Sequence, residues 1–197
     1  ALPIWMAVGL VLALVITLAL FGLPVGESLR LIVDGAFGSE AGLSRTLVRM
    51  TPLLVTGLGM VIAWRAGMYN IGGEGQFVVG GLGGALVFHL APALPPALLN
   101  LAILIATILG GAAYAGIAGW LEVKRGVPVV ISTILLNFIA LQLLDWAVSG
   151  PLQESKRQLP LTQALPNEAM LQRFSRQTDL HSGAILAVLV ALGVFGY

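Results

Sequence analysis

Cysteine is absent from this 197-residue chain, which removes disulfides, thiol nucleophiles and cysteine-ligated metals from consideration. Charge is scarce as well: 10% of the residues are Asp, Glu, Lys or Arg, against roughly 25% in soluble domains. Ten basic and nine acidic side chains give a formal charge of +1, so no broad basic face exists for nucleic acid, and that class of partner is excluded. The two histidines, His89 and His181, have no second ligand at metal spacing. No Gly-x-x-x-x-Gly-Lys-Ser/Thr loop is present, so ATP is not bound by that route. Ser132 lacks both a nucleophile elbow and Ser-His-acid partners. These absences argue against an enzyme and against any bound cofactor.

What is abundant is hydrocarbon. Hydrophobic residues make up 58% of the chain and the mean hydropathy is +0.97, values that belong in a membrane. Apolar runs recur at Pro3 to Leu23, Met50 to Trp64, Gln76 to Ala91, Ala97 to Trp120, Val127 to Val148 and Ala184 to Tyr197. The first is too long for a signal-peptide core and has no basic residue before it, so it reads as a first transmembrane helix. The expected fold is all-α and polytopic, with about six transmembrane segments, the last cut short. The start at Ala1 and the short final run lead us to read residues 1–197 as the N-terminal portion of a single transmembrane domain.

The second and third runs are shorter than the roughly 17 residues a simple span needs. Either the second begins nearer Arg45, with Arg45 and Arg49 snorkelling, or both are half-helices meeting at a polar break. Gly22 to Ser44 suits a surface connection with one short interfacial helix. Pro92, Pro95 and Pro96 make the next link tight. Residues 151–182, holding Lys156, Arg157, Arg173 and Arg176, are expected to be an external loop region with a short helix near Glu168 to Arg176. Gly80/Gly84, Gly111/Ala115, Ala112/Gly116 and Ala115/Gly119 are four apart, a spacing that lets another backbone approach each helix closely.

Function concentrates in the polar, glycine-dense stretch from Arg65 to Gln76, where a carboxylate and amides beside lipid-length apolar runs need protein or water around them. Glu74 admits two readings: solute contact, or a simple place at a helix N-terminus, where negative charge is favoured. Thr133 and Asn137 are i and i+4 in the fifth run and share a face; that face either lines a path or bonds a neighbouring helix. Asn70, Glu74, Gln76, Thr133 and Asn137 are therefore the candidate translocation path or gate. Asp145, nearer the far end of the fifth run, suits an interfacial anchor.

These residues also carry a resemblance. Thr51-Pro52-Leu53-Leu54-Val55-Thr56-Gly57-Leu58-Gly59, Arg65 to Gln76, Ile131-Ser132-Thr133-Ile134-Leu135-Leu136-Asn137 and Gly150-Pro151-Leu152 resemble, in order and spacing, the permease subunits of bacterial ATP-binding-cassette importers for nucleosides and simple sugars. Relatives with the same broader fold move branched-chain amino acids or ribose. The chain departs from the family pattern at Pro128 and Val129, where an Asn-Glu pair is usual. The resemblance implies a multi-pass protein of the bacterial inner (cytoplasmic) membrane. It also implies membrane lipid, a second permease subunit, ATPase subunits and an extracytoplasmic solute-binding lipoprotein as partners. It orients the N-terminus inside, with Lys124 cytoplasmic and Arg157 external, against a weak charge bias. Two rivals stand beside it: an ion-coupled secondary transporter using Glu74 and Asp145, and a non-transporting membrane scaffold.

Overall fold

In the computed structural model, which describes residues 2–156, 158–174 and 180–196, each of the six apolar runs forms an α-helix. They are α1 (Leu2–Leu20), α3 (Glu40–Arg65), α4 (Gly73–Leu90), α5 (Pro96–Arg125), α6 (Val129–Ser149) and α7 (Gly183–Phe195), with α2 (Val25–Phe37) in the first connection. By length and composition α3, α5 and α6 can cross a membrane; the apolar Gly183–Phe195 of α7 and Ile4–Leu20 of α1 are shorter, the latter at the lower end of about 17 residues for a span. α4 has 18 residues, its hydropathy diluted by glycines and by Glu74, Gln76 and His89. The second run is a continuous 26-residue helix from Glu40, so of the two arrangements above the structure has the long helix and not a half-helix. Large apolar side chains stay uncovered along these helices, Leu53 at 74% and Val123 at 79% exposure among them, as a lipid-facing surface requires.

The chain divides into two compact units, residues 1–51 with 173–184, and residues 52–172 with 185–197. In the second, α4 runs antiparallel to α5 and parallel to α6. The α4–α5 seam is built from glycine: a Cβ added at Gly80 would lie 2.8 Å from the Thr107 carbonyl, and one at Gly84 2.7 Å from the Thr107 hydroxyl. Across the seam, a Cβ at Gly110 would meet the Val79 carbonyl at 3.2 Å, and one at Gly111 the Gln76 carbonyl at 3.1 Å. The backbones therefore touch where any side chain would wedge them apart. The pairs further along α5 behave differently: Gly116 and Gly119 have nothing within 4 Å of an added Cβ. Tyr114 Oη donates to the Leu136 carbonyl at 2.7 Å and ties α5 to α6.

One end of this unit carries the links α4–α5 and α6 onward. There the segment after Ser149 folds back, pairing Gln153 with Thr162 and setting Leu165 and Ala169 against Phe88 and Leu99. The helix expected near Glu168 to Arg176 is a single 3-10 turn, Asn167–Ala169, because Met170 adopts an extended backbone (φ −85, ψ 154). Arg176 and Arg157 lie outside the described residues. The other end carries the α3–α4 elbow and the α5–α6 turn, and Arg65 Nη1 donates there to the Val194 carbonyl of α7 at 3.3 Å.

In the first unit, Ser39 Oγ accepts from the Gly42 N–H at 3.0 Å and caps α3. His181 Nδ1 accepts from the Gly183 N–H at 3.1 Å where α7 begins.

Candidate functional site

The elbow starts with a helix stop. Gly67 has φ +81, the left-handed conformation that glycine adopts without steric cost. It lets the Gly67 and Met68 N–H groups bond back to Trp64 and Ala63 carbonyls at 3.0 and 2.9 Å, a Schellman closure of α3. Trp64 Nε1 then donates to the Asn70 carbonyl at 3.2 Å.

From Asn70 onward the backbone is held by side chains. Asn70 Oδ1 accepts from the Gly72 N–H at 2.7 Å and from Gln76 Nε2 at 3.1 Å, and Asn70 Nδ2 donates to Gln76 Oε1 at 3.3 Å. The two amides thus form a reciprocal pair across the start of α4. From α6, Asn137 Nδ2 donates to the Ile71 carbonyl at 3.2 Å and its Oδ1 accepts from the Gly75 N–H at 2.9 Å. The second bond satisfies one of the free amide groups at the N-terminus of α4. Thr133, 1% exposed, accepts from the Ile71 N–H at 3.4 Å and donates back to the Val129 carbonyl at 2.8 Å.

Glycine makes this approach possible. A Cβ at Gly72 would lie 2.8 Å from Thr133 Cβ, one at Gly73 2.6 Å from Thr56 Cγ2, and one at Gly75 2.9 Å from Asn137 Oδ1. Gly72 and Gly73 therefore press the elbow onto α6 and α3, and Gly75 seats the first turn of α4 on α6.

Four of the five residues predicted from sequence, Asn70, Gln76, Thr133 and Asn137, are thus brought into one network. The fifth, Glu74, is exposed and stands in the first turn of α4, where the helix dipole favours its charge. Asp145 and His89 are exposed too. Asn70 borders a cavity of about 240 Å³, shared with Ala63, Met68, Ala115, Gly116, Ala118, Gly119 and Val129. Two adjoining cavities of about 410 and 440 Å³ lie beneath Pro160 to Leu165, share Gly81, Ala85 and Thr162, and are mostly apolar. Among the described residues no group of three metal-ligating side chains stands together.

Sequence reasoning missed Trp64, Tyr114 and the pairing of Gly73 with Thr56 and Met60. Trp64 carried the one usable signal, an indole N–H at the end of an apolar run beside a polar break, which seeks a carbonyl. At Pro128 and Val129, where the chain departs from the expected Asn-Glu pair, Pro128 precedes α6 at φ −55, and its carbonyl accepts from the Ser132 N–H at 3.2 Å. Val129 is buried. The departure is thus absorbed as a proline-led helix start.

Residues 42–195 match the family described as the branched-chain amino acid transport system / permease component. A glucose ABC transporter permease protein of Haloferax volcanii is 31% identical over 98% of this chain and 55% of its own length. A guanosine ABC transporter permease protein of Bacillus subtilis is 30% identical over 87% of this chain and 49% of its own. A nucleoside ABC transporter permease protein of Lactococcus lactis is 32% identical over 68% of this chain and 36% of its own. The chain thus spans about half the length, or less, of these curated relatives. No solved structure matches it.

Proposed function

Because the chain belongs to the family of branched-chain amino acid transport system permease components, a multi-pass membrane protein and a transport subunit by kinship, we propose that it forms part of the solute path of an ATP-binding-cassette importer for a simple sugar or nucleoside. On this reading ATP is hydrolysed by separate ATPase subunits, a second permease subunit completes the path, and an external solute-binding lipoprotein delivers the solute. The relatives named for glucose, guanosine and nucleosides support the solute class.

The observation that carries the residue assignment is the amide network from Asn70 to Gln76 and on to Asn137. Its polar groups are uncharged and match hydroxyl-rich solutes, but their hydrogen bonds are already made within the chain. The reading that follows is a gate: Asn137 and Thr133 hold the elbow in one position, and the elbow shifts when those bonds are exchanged. Glu74, exposed beside the network, contributes charge at the mouth.

Uptake by the full-length protein with its partners tests this. Glu74→Gln and Asn137→Asp, the second keeping the acceptor toward Gly75 and losing the donor toward Ile71, should each lower uptake per assembled transporter. Unchanged uptake in both refutes the gate. A protonophore, with ATP maintained, should leave uptake intact; abolished uptake would refute ATP-driven import.

A further inference from the structure

α2 is the helix whose partner the permease reading leaves unassigned. At 100° per residue, Val25, Leu29, Ile32, Val33 and Ala36 fall within one arc of about 100° with Phe37 at its edge, Glu27, Arg30 and Asp34 fill the arc of about 60° next to Phe37, and Leu31, 63% exposed, lies beyond them. Arg30 Nε and Asp34 Oδ2 are paired at 3.4 Å on that polar side. None of the α2 residues is buried; Ile32, Val33 and Phe37 are 51%, 57% and 64% exposed. A stripe of this kind in water would be costly, at about 25 cal/mol for each Å² of apolar surface.

Both ends of α2 are fixed in height. α1 carries no charge from Ile4 to Leu20 and its 19 residues span about 28 Å at 1.5 Å each, close to the hydrocarbon thickness. It closes at Gly22 (φ +67) by bonds from the Gly22 and Leu23 N–H groups to Ala19 and Leu18 at 3.1 and 2.9 Å, and Pro24 leads directly into α2. At the other end the Ala36 carbonyl accepts from Thr46 Oγ1 at 3.0 Å, which sets the last turn of α2 beside α3. Thr46 is four residues, about 6 Å along the helix, from Met50, where the apolar run opens. The links of residues 21–24 and 38–39 reach at most about 14 and 7 Å, too short for α2 to stand away from the bilayer.

We propose that α2 is an interfacial helix that lies in the plane of the membrane surface, its Leu29/Ile32/Val33/Phe37 face sunk to the headgroup–acyl boundary and its Glu27/Arg30/Asp34 face in water. The three charges sum to −1, so insertion is driven by apolar area and needs no anionic lipid. This placement rests on the chain spanning a membrane and not on what it transports.

Residues 1–197 hold no cysteine, so a scan needs only any cysteine elsewhere in the full-length protein replaced. Single cysteines at positions 27 to 37 of the full-length protein, nitroxide-labelled and reconstituted in phosphatidylcholine vesicles, are read for collision with oxygen, which favours lipid, and with a nickel chelate, which favours water. Oxygen should dominate at 29, 32, 33 and 37 and nickel at 27, 30 and 34, with the pattern unchanged when a third of the lipid is phosphatidylglycerol. As a second readout, brominated lipid should quench Phe37→Trp more than Glu27→Trp, the native tryptophans being common to both. High nickel collision on both faces, or low collision with both reagents at 32, 33 and 37 as under a protein cover, would overturn the proposal. So would equal quenching of the two tryptophan variants.

Discussion

Two stretches of α5 carry the same small-residue spacing and meet opposite fates. Around Gly110 and Gly111 the helix is closed against α4, with carbonyls of Val79 and Gln76 where a side chain would go. One to two turns later, Gly116 and Gly119 border open space beside Ala63, Met68 and Asn70. The difference lies in the partner. α4 offers Gly80, Gly83 and Gly84 to the first stretch, so two backbones can touch; the second stretch faces an elbow whose polar groups are already engaged with α6. Spacing of small residues creates the option of close approach, and the facing helix decides whether it is taken.

The comparison can be broken by substitution. The largest effect is expected at the closed seam: Gly80→Val forces a branched side chain onto the Thr107 carbonyl and should cost about 3 kcal/mol or more, seen as lost monodisperse protein in detergent and a sharply lower melting temperature. Next comes Asn137→Leu, which leaves the Ile71 carbonyl and the Gly75 N–H without their partners. A loss of about 2 kcal/mol should appear in the same melt, with faster hydrogen exchange at residues 71–75. Gly67→Ala meets no steric neighbour, so its penalty is that of the left-handed backbone alone, about 1 kcal/mol. The smallest effect, of opposite sign, is expected in the open stretch. Gly119→Ala should leave the chain as stable or raise stability by up to about 1 kcal/mol through helix propensity. A clear loss there would mean that something fills the groove.

The same contrast marks how far the sequence could be read. The helices and their order were legible because apolar runs of membrane length leave few alternatives. The polar break, the Thr133/Asn137 face and a short helix in the first connection were legible because each violates its surroundings. What stayed hidden was pairing. Helical periodicity names a face but not what it touches, so nothing in the residues said that Gly73 sits on Thr56, that Tyr114 reaches the Leu136 carbonyl, or that Leu165 and Ala169 fold back onto Phe88. The sequence shows the glycines of the break only as a cluster, whereas Gly72, Gly73 and Gly75 are there for want of room. Glu74, the most conspicuous residue in the sequence, has the least structural engagement of the five candidates.

Asn137 also sets a clock. It reaches back 62 residues to the Gly75 N–H and 66 to the Ile71 carbonyl. At a synthesis rate of about 5 to 20 residues per second, the elbow waits some seconds after it is made before its holder exists. During that interval α3 and α4 can insert, yet the turn between them has only Asn70, Gln76 and Trp64 to occupy its polar groups. The joint is therefore finished by the arrival of α6, and a nascent chain stalled before Asn137 should expose residues 70–76 to protease that the complete chain resists.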